Sequence, residues 1–79
     1  MKDIIIYSTP TCHFCQLAKQ FFAANDIKYT EYNVAADAEK RKEMVELTGQ
    51  LGVPVIRVGN DVMVGFQESH MRQVLGMSA

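Results

Sequence analysis

The sequence predicts an α/β domain with four strands and three helices in the order βαβαββα. Three observations carry that expectation. The β-branched run Ile4-Ile5-Ile6-Tyr7 is followed by apolar residues at helical spacing, and then by a stretch rich in Tyr, Thr and Ile. Such a strand–helix–strand unit, closed within about thirty residues, is right-handed and has parallel strands. Further on, Gly59-Asn60-Asp61 separates two short valine-rich runs, which signals a β-hairpin. At 79 residues the chain has room for one domain, spanning 1–79. A domain of that size buries only about 60% of the surface its unfolded chain exposes, so its core is thin.

Taken in order, Ile4 to Ser8 reads as a strand buried on both faces. Ser8-Thr9-Pro10-Thr11 breaks it, and Thr11 is the expected N-cap of a helix running from Cys12 to Ala24. Phe14, Leu17, Ala18 and Phe21 recur along that helix at helical spacing. Asn25-Asp26 closes it, and Ile27 to Val34 is the second strand. Asp37 is positioned to cap a second helix whose inward face is expected to be Met44, Leu47, Thr48 and Leu51. Its other side (Glu39, Lys40, Arg41, Lys42, Glu43, Glu46) mixes both signs and reads as a solvated face rather than a docking surface. Gly49 and Gly52 stop this helix; Val53 to Val58 and Val62 to Phe66 form the hairpin. Ser69 to Leu75 is a last short helix with Met71, Val74 and Leu75 inward and Gly76 at its end.

Composition removes several classes of function. Eight basic residues against nine acidic ones leave a net charge of −1, so no global basic character points to nucleic acid. Two cysteines are too few for a disulfide-stapled secreted scaffold or a self-contained four-thiolate zinc site. Met1-Lys2-Asp3 leads directly into the first strand without an apolar leader segment, and no apolar stretch approaches the roughly 18 residues that span a bilayer. The expectation is a cytoplasmic protein with no membrane partner, where a disulfide is catalytic rather than structural.

The chemistry rests on Cys12-His13-Phe14-Cys15, a C-x-x-C that follows a strand and opens a helix inside a βαβ unit. A thiol at a helix N-terminus faces unpaired N–H groups and the positive end of the helix dipole, both of which favour its thiolate. Cys12 holds that position and is the expected nucleophile. Cys15, one turn further in, is placed to resolve a mixed disulfide and is expected to be less exposed and less acidic. Two blander readings remain. The pair can be buried core cysteines, which pack like small hydrophobes. It can also be half of a metal site, completed by His13, His70 or a second chain.

Together, Tyr7-Ser8-Thr9-Pro10-Thr11-Cys12-His13-Phe14-Cys15, Thr48-Gly49-Gln50-Leu51-Gly52-Val53-Pro54 and Val64-Gly65-Phe66 resemble the glutaredoxins, over essentially the whole chain. The likeness is to the short glutaredoxin-like redoxins more than to the longer glutathione-dependent enzymes. It implies the thioredoxin-like fold: a four-stranded mixed sheet, with two parallel and two antiparallel strands, flanked by three helices. It implies a dithiol–disulfide oxidoreductase that cycles through a Cys12–Cys15 disulfide, with no bound organic cofactor and no metal, acting as a monomer on protein or small-molecule disulfides. It also implies a cis Val53-Pro54 bond facing the cysteines, with the main chain at Val53 pairing with the bound substrate. The residues alone support a proline that opens an edge strand. By the same resemblance, the substrate groove is lined by Thr9, Pro10, His13, Phe14, Gln50, Val53, Pro54, Gly65, Phe66, Gln67, Glu68 and Ser69.

Departures from the family pattern bear on the reductant. Glutathione-using members carry a lysine three residues before the nucleophile and a basic residue near the cis-proline; here those positions are Thr9 and Leu51. Gln50 remains to hydrogen-bond the glycine carboxylate, with a neutral donor where charge-assisted bonds are about twice as strong. Phe66 stands where those enzymes have a second glycine and would narrow the groove. Ser69 at a helix N-terminus favours a carboxylate, and Glu68 opposes one. A glycine followed by a large apolar residue also occurs in redoxins reduced by thioredoxin reductase. The external reductant is therefore glutathione or a thioredoxin-reductase-type flavoprotein, with the flavoprotein favoured. His13 replaces a common proline; as a cation it stabilises the Cys12 thiolate, and as a neutral ring it is simply exposed. Phe14 is either core or docking surface, and His70 is expected to face solvent. Two other uses of the cysteines stand as alternatives. A Cu(I) carrier has Pro10 against it, where copper chaperones have methionine. A glutathione-bridged iron–sulfur dimer has the weak glutathione site against it.

Overall fold

The computed structural model describes residues 3–76; Met1, Lys2 and residues 77–79, which belong to the expected 1–79 domain, lie outside the described residues. The elements are β1 (Ile4–Ser8), α1 (His13–Ala24), β2 (Thr30–Asn33), α2 (Ala38–Thr48), β3 (Val55–Val58), β4 (Asp61–Val64) and α3 (Glu68–Leu75). The sheet order is β2-β1-β3-β4. β1 runs parallel to β2 and antiparallel to β3, and β3 and β4 are antiparallel. This is the four-stranded mixed sheet with three helices that the sequence predicts.

Alternation along the two central strands sorts the helices onto opposite faces. Ile4 and Ile6 of β1 and Ile56 and Val58 of β3 meet Ala18, Phe21 and Phe22 of α1 and Met71 of α3. On the other face, Tyr7 and Val55 meet Val34 and Met44, the latter from α2. β1 is therefore covered on both sides, which is why its sequence is a continuous apolar run.

β1 has the bounds the sequence suggests, whereas β2, β3 and β4 are shorter, for reasons visible in the backbone. Ile27 does not begin β2, because its N–H is used to close α1, donating to the Phe22 carbonyl at 2.8 Å. The chain turns there through Asp26 at φ 54. Ile27 and Tyr29 still pack on the core as irregular chain. The hairpin loop is the two residues Gly59-Asn60, since Val58 pairs with Asp61. Gly59 takes φ 59, the positive value that the first position of a type II′ turn requires. β4 ends at Val64 because, one step further, the Gly65 N–H still reaches the opposite Pro54 carbonyl at 2.8 Å but Pro54 has no N–H to return the bond.

α2 docks differently from the expectation. Asp37 does cap it, accepting from the Lys40 N–H at 3.0 Å. Met44 is its buried residue, whereas Leu47 and Leu51, expected inward, are 38% and 67% exposed. The sheet face beneath carries Tyr7 and Tyr32, whose polar ends need partners. The Tyr7 hydroxyl donates to Glu43, the Lys40 ammonium lies 4.2 Å from the Tyr32 ring centroid, and the Arg41 guanidinium donates to the Val34 carbonyl at 3.3 Å. Part of the charged face expected to be solvated is thus the face that holds the helix.

The Tyr7 hydroxyl, and secondarily the Lys40 ammonium, hold the Glu43 carboxyl below its ordinary value of 4.5. A carboxyl depressed in the folded state contributes stability that is present above that ordinary value and lost as pH falls through the lowered one. Tyr7→Phe is expected to destabilise the protein by about 1–2 kcal/mol near neutral pH. The loss should shrink in acid, as read from denaturation midpoints across the pH range.

Candidate functional site

β1 ends at the buried Ser8, and the chain turns through Thr9-Pro10-Thr11, with the Cys12 N–H donating to the Thr9 carbonyl at 3.3 Å. That turn consumes Thr11, so the N-cap of α1 is Cys12 rather than the expected Thr11. Cys12 adopts extended backbone geometry (φ −83, ψ 114), and its Sγ accepts the Cys15 N–H at 3.1 Å. A sulfur thus fills the role usually taken by a Ser, Thr, Asp or Asn oxygen. The first turn of α1 carries no acidic side chain.

The two sulfurs differ sharply. Both thiols are free; Cys12 is half-buried, and Cys15 is 0% exposed. Burial, and secondarily the hydrogen bond with Cys12, pushes the Cys15 thiol up to about 12. The Thr9 backbone and the Lys19 charge pull the other way.

The register places the remaining candidates. Tyr7 pairs with Val55 and Val55 with Val64, so the segments carrying Thr9, Pro54 and Gly65 leave the sheet at one end. The Val53–Pro54 peptide bond is cis, Pro54 is buried, and Gly65 stands at φ 83. Val53 is half-buried and Pro10 exposed. His13 and Phe14 are both exposed, with ring centroids 5.6 Å apart, and Phe14, at 55% exposure, is surface and not core. Gln50 is also exposed, and its Oε1 lies so near Gly52 that a Cβ there would come within 2.9 Å of it.

Four candidates sit further along the chain. Phe66 packs on Phe21 of α1, at 5.7 Å between centroids, and with Leu17 and Arg72 lines a cleft of ≈ 380 Å³ between α1 and α3. Gln67 is the N-cap of α3 without a side-chain cap bond, and Glu68 and Ser69 form its first turn. The Glu68 carboxylate accepts from Arg72 Nε at 3.1 Å, so its charge is compensated within α3. His70 is exposed. Among the described residues, no three of His, Cys, Asp and Glu converge as a metal-binding group.

One constellation escaped the sequence reading. Glu31 Oε2, on β2, accepts from the Ser8 hydroxyl at 2.7 Å and from the Lys19 ammonium at 2.8 Å. The Glu31 carboxyl is held below the usual carboxylate range by Lys19 first and Ser8 second, and Lys19 is raised chiefly by its bond to Glu31. The available signals were a polar Ser8 ending an apolar strand, and a lysine four residues after Cys15.

Residues 4–63 match the model of the Glutaredoxin family. The chain belongs to the glutaredoxin family. It is 39% identical over 72 residues to a glutaredoxin-like 8.6 kDa protein in the rubredoxin operon of Clostridium pasteurianum, covering 91% of this chain and 96% of that one. It is 32% identical over 56 residues to glutaredoxin 3 of Escherichia coli, covering 71% and 68%. A crystallised variant of the thioredoxin-like protein BC3987 superimposes with a TM-score of 0.89 at 29% identity, covering 99% of this chain and all of the other. As a glutaredoxin-family chain it is a glutaredoxin-like redox protein of thioredoxin-like fold. Among the described residues, no helix is long and apolar enough to cross a membrane.

The unequal exposure of the two sulfurs, with the Cys15 thiol raised by burial, sets an alkylation order. In the reduced protein, iodoacetamide is expected to modify Cys12 at least about tenfold faster than Cys15. Peptide mass spectrometry of briefly treated samples checks this, and equal labelling would contradict it.

Proposed function

We propose that this glutaredoxin-family chain is a dithiol–disulfide oxidoreductase of the cytoplasm that works as a monomer. Its substrates are disulfides of proteins or small molecules. Cys12 Sγ attacks a substrate disulfide, and one substrate sulfur leaves as a thiol. Cys15 then displaces the other from the mixed disulfide, closing Cys12–Cys15. The substrate gains two electrons and two protons, and the protein's dithiol becomes the disulfide that an external reductant resets. No bound cofactor is needed.

The observation that carries this reading is the asymmetry of the pair. The reachable sulfur caps a helix and takes an N–H at 3.1 Å, an arrangement that stabilises negative charge on sulfur, while its partner is sealed one turn away. The Val53 main chain, at the same end of the sheet, is the edge along which a cysteinyl substrate can pair. Cys12→Ser is expected to abolish NADPH-linked disulfide reduction. Cys15→Ser is expected to accumulate mixed disulfides that intact-mass spectra detect.

For the reductant, the reading favours a thioredoxin-reductase-type flavoprotein over glutathione. Thr9 and the exposed Leu51 offer no charge to the carboxylates of glutathione, and Gln50 and Ser69 offer neutral donors. Thr9→Lys with Leu51→Arg is expected to raise glutathione-linked turnover several-fold. The gain should be larger at low salt, since such charges are screened over about 8 Å at physiological ionic strength. Efficient wild-type turnover with glutathione, indifferent to both substitutions, would overturn this assignment.

A further inference from the structure

The resolving step requires a sealed sulfur to become an anion. Burial, which forming the mixed disulfide does not relieve, holds the Cys15 thiol above its ordinary value, so little of it carries that charge near neutral pH. Attack on the mixed disulfide therefore depends on what faces Cys15 as the charge develops. The groups that act on it are the Cys12 sulfur, the Thr9 backbone and the Lys19 ammonium.

Lys19 follows Cys15 by four residues on α1, so the two side chains share a face of the helix. An unconstrained lysine extends its ammonium into water. This one is drawn back: its Nζ donates to Glu31 Oε2 at 2.8 Å, and the same oxygen accepts the Ser8 hydroxyl at 2.7 Å. Ser8 is 1% exposed and ends the strand whose following loop carries Cys12. Three elements, α1, β1 and β2, thus pin one ion pair, and its ammonium rather than its carboxylate is the member that acts on Cys15. The groups acting on Lys19 itself are Glu31, Tyr29 and Cys15; the bond to Glu31 dominates and keeps it protonated, so it is a fixed cation and not a base.

We propose that Lys19, pinned by Glu31 and Ser8, is a positioning residue for resolution, its ammonium stabilising the negative charge on Cys15 Sγ as that sulfur attacks the Cys12 mixed disulfide. This rests on the dithiol reading above. The Cys15 Sγ–Cys12 Sγ bond forms, the bond from Cys12 Sγ to the substrate sulfur breaks, and the electron pair leaves with the substrate sulfur. The proton given up by Cys15 reaches that sulfur by way of water, and Lys19 keeps its own throughout.

The test is stopped-flow mixing of the reduced protein with one equivalent of a nitrobenzoate disulfide whose released thiolate absorbs visible light. The first release reports attack by Cys12 and the second reports resolution by Cys15. Lys19→Met is expected to leave the first rate essentially unchanged and to slow the second about three- to fourfold. A change of about one unit in thiol acidity cuts the thiolate fraction about tenfold, while each thiolate becomes about threefold more nucleophilic. The pH profile of the second release should move upward to match. Lys19→Arg should restore most of the second rate, and Lys19→Gln should repeat the loss if the methionine variant folds poorly. An unchanged second release with an unchanged pH profile, or equal slowing of both releases, overturns the role of Lys19 while leaving the dithiol reading intact. A wild-type protein that releases a single equivalent overturns the dithiol reading and this inference with it.

Discussion

The seating of α1 on the sheet is the constraint from which the site follows. Cys15, Ala18 and Phe22 are all fully buried along one line of the helix, and Phe21 lies close beside them. Once those residues are inside, helical geometry decides the rest. The position one turn before Cys15 falls at the helix start, where unpaired N–H groups point, and Cys12 occupies it. The position one turn after Cys15 emerges toward β2, where Lys19 meets Glu31.

β1 binds the same arrangement from the other direction. Like β3 it is paired on both edges, with β2 on one side and β3 on the other. Its last residue, Ser8, has a hydroxyl that is sealed from water, and Glu31 satisfies it. The loop from Ser8 to Cys12 is short, and the Pro54 segment enters β3 at the same end of the sheet.

Much of this was legible in the chain. The order of elements followed from the periodicity switch at Cys12 and from the turn residues at Gly59-Asn60. Cys12 and Cys15 were visible because their spacing and their place after a strand are both local features. Facing was harder to read. Phe14 and Leu51 look like core residues by type, yet each lies just beyond the stretch of helix that touches the sheet, and tertiary position overrode hydrophobicity. Glu43, Lys40 and Arg41 look solvated by type, yet the tyrosines beneath α2 gave them work that no local pattern reveals. Ser8, Lys19 and Glu31 come from three elements, and their meeting depends on strand register, which sequence patterning does not specify for polar residues.

The way α2 is held gives the domain two unlike sides. The face shared by α1 and α3 is sealed by aliphatic and aromatic packing, whose strength follows apolar burial and is hardly touched by salt. The opposite face contributes one fully buried methionine from its helix and otherwise relies on a carboxylate, an ammonium and a guanidinium at the sheet surface. Ionic strength and acidity act on that second set first. The docking of α2 is therefore expected to respond to salt and acid, and that of α1 and α3 to be largely indifferent to both.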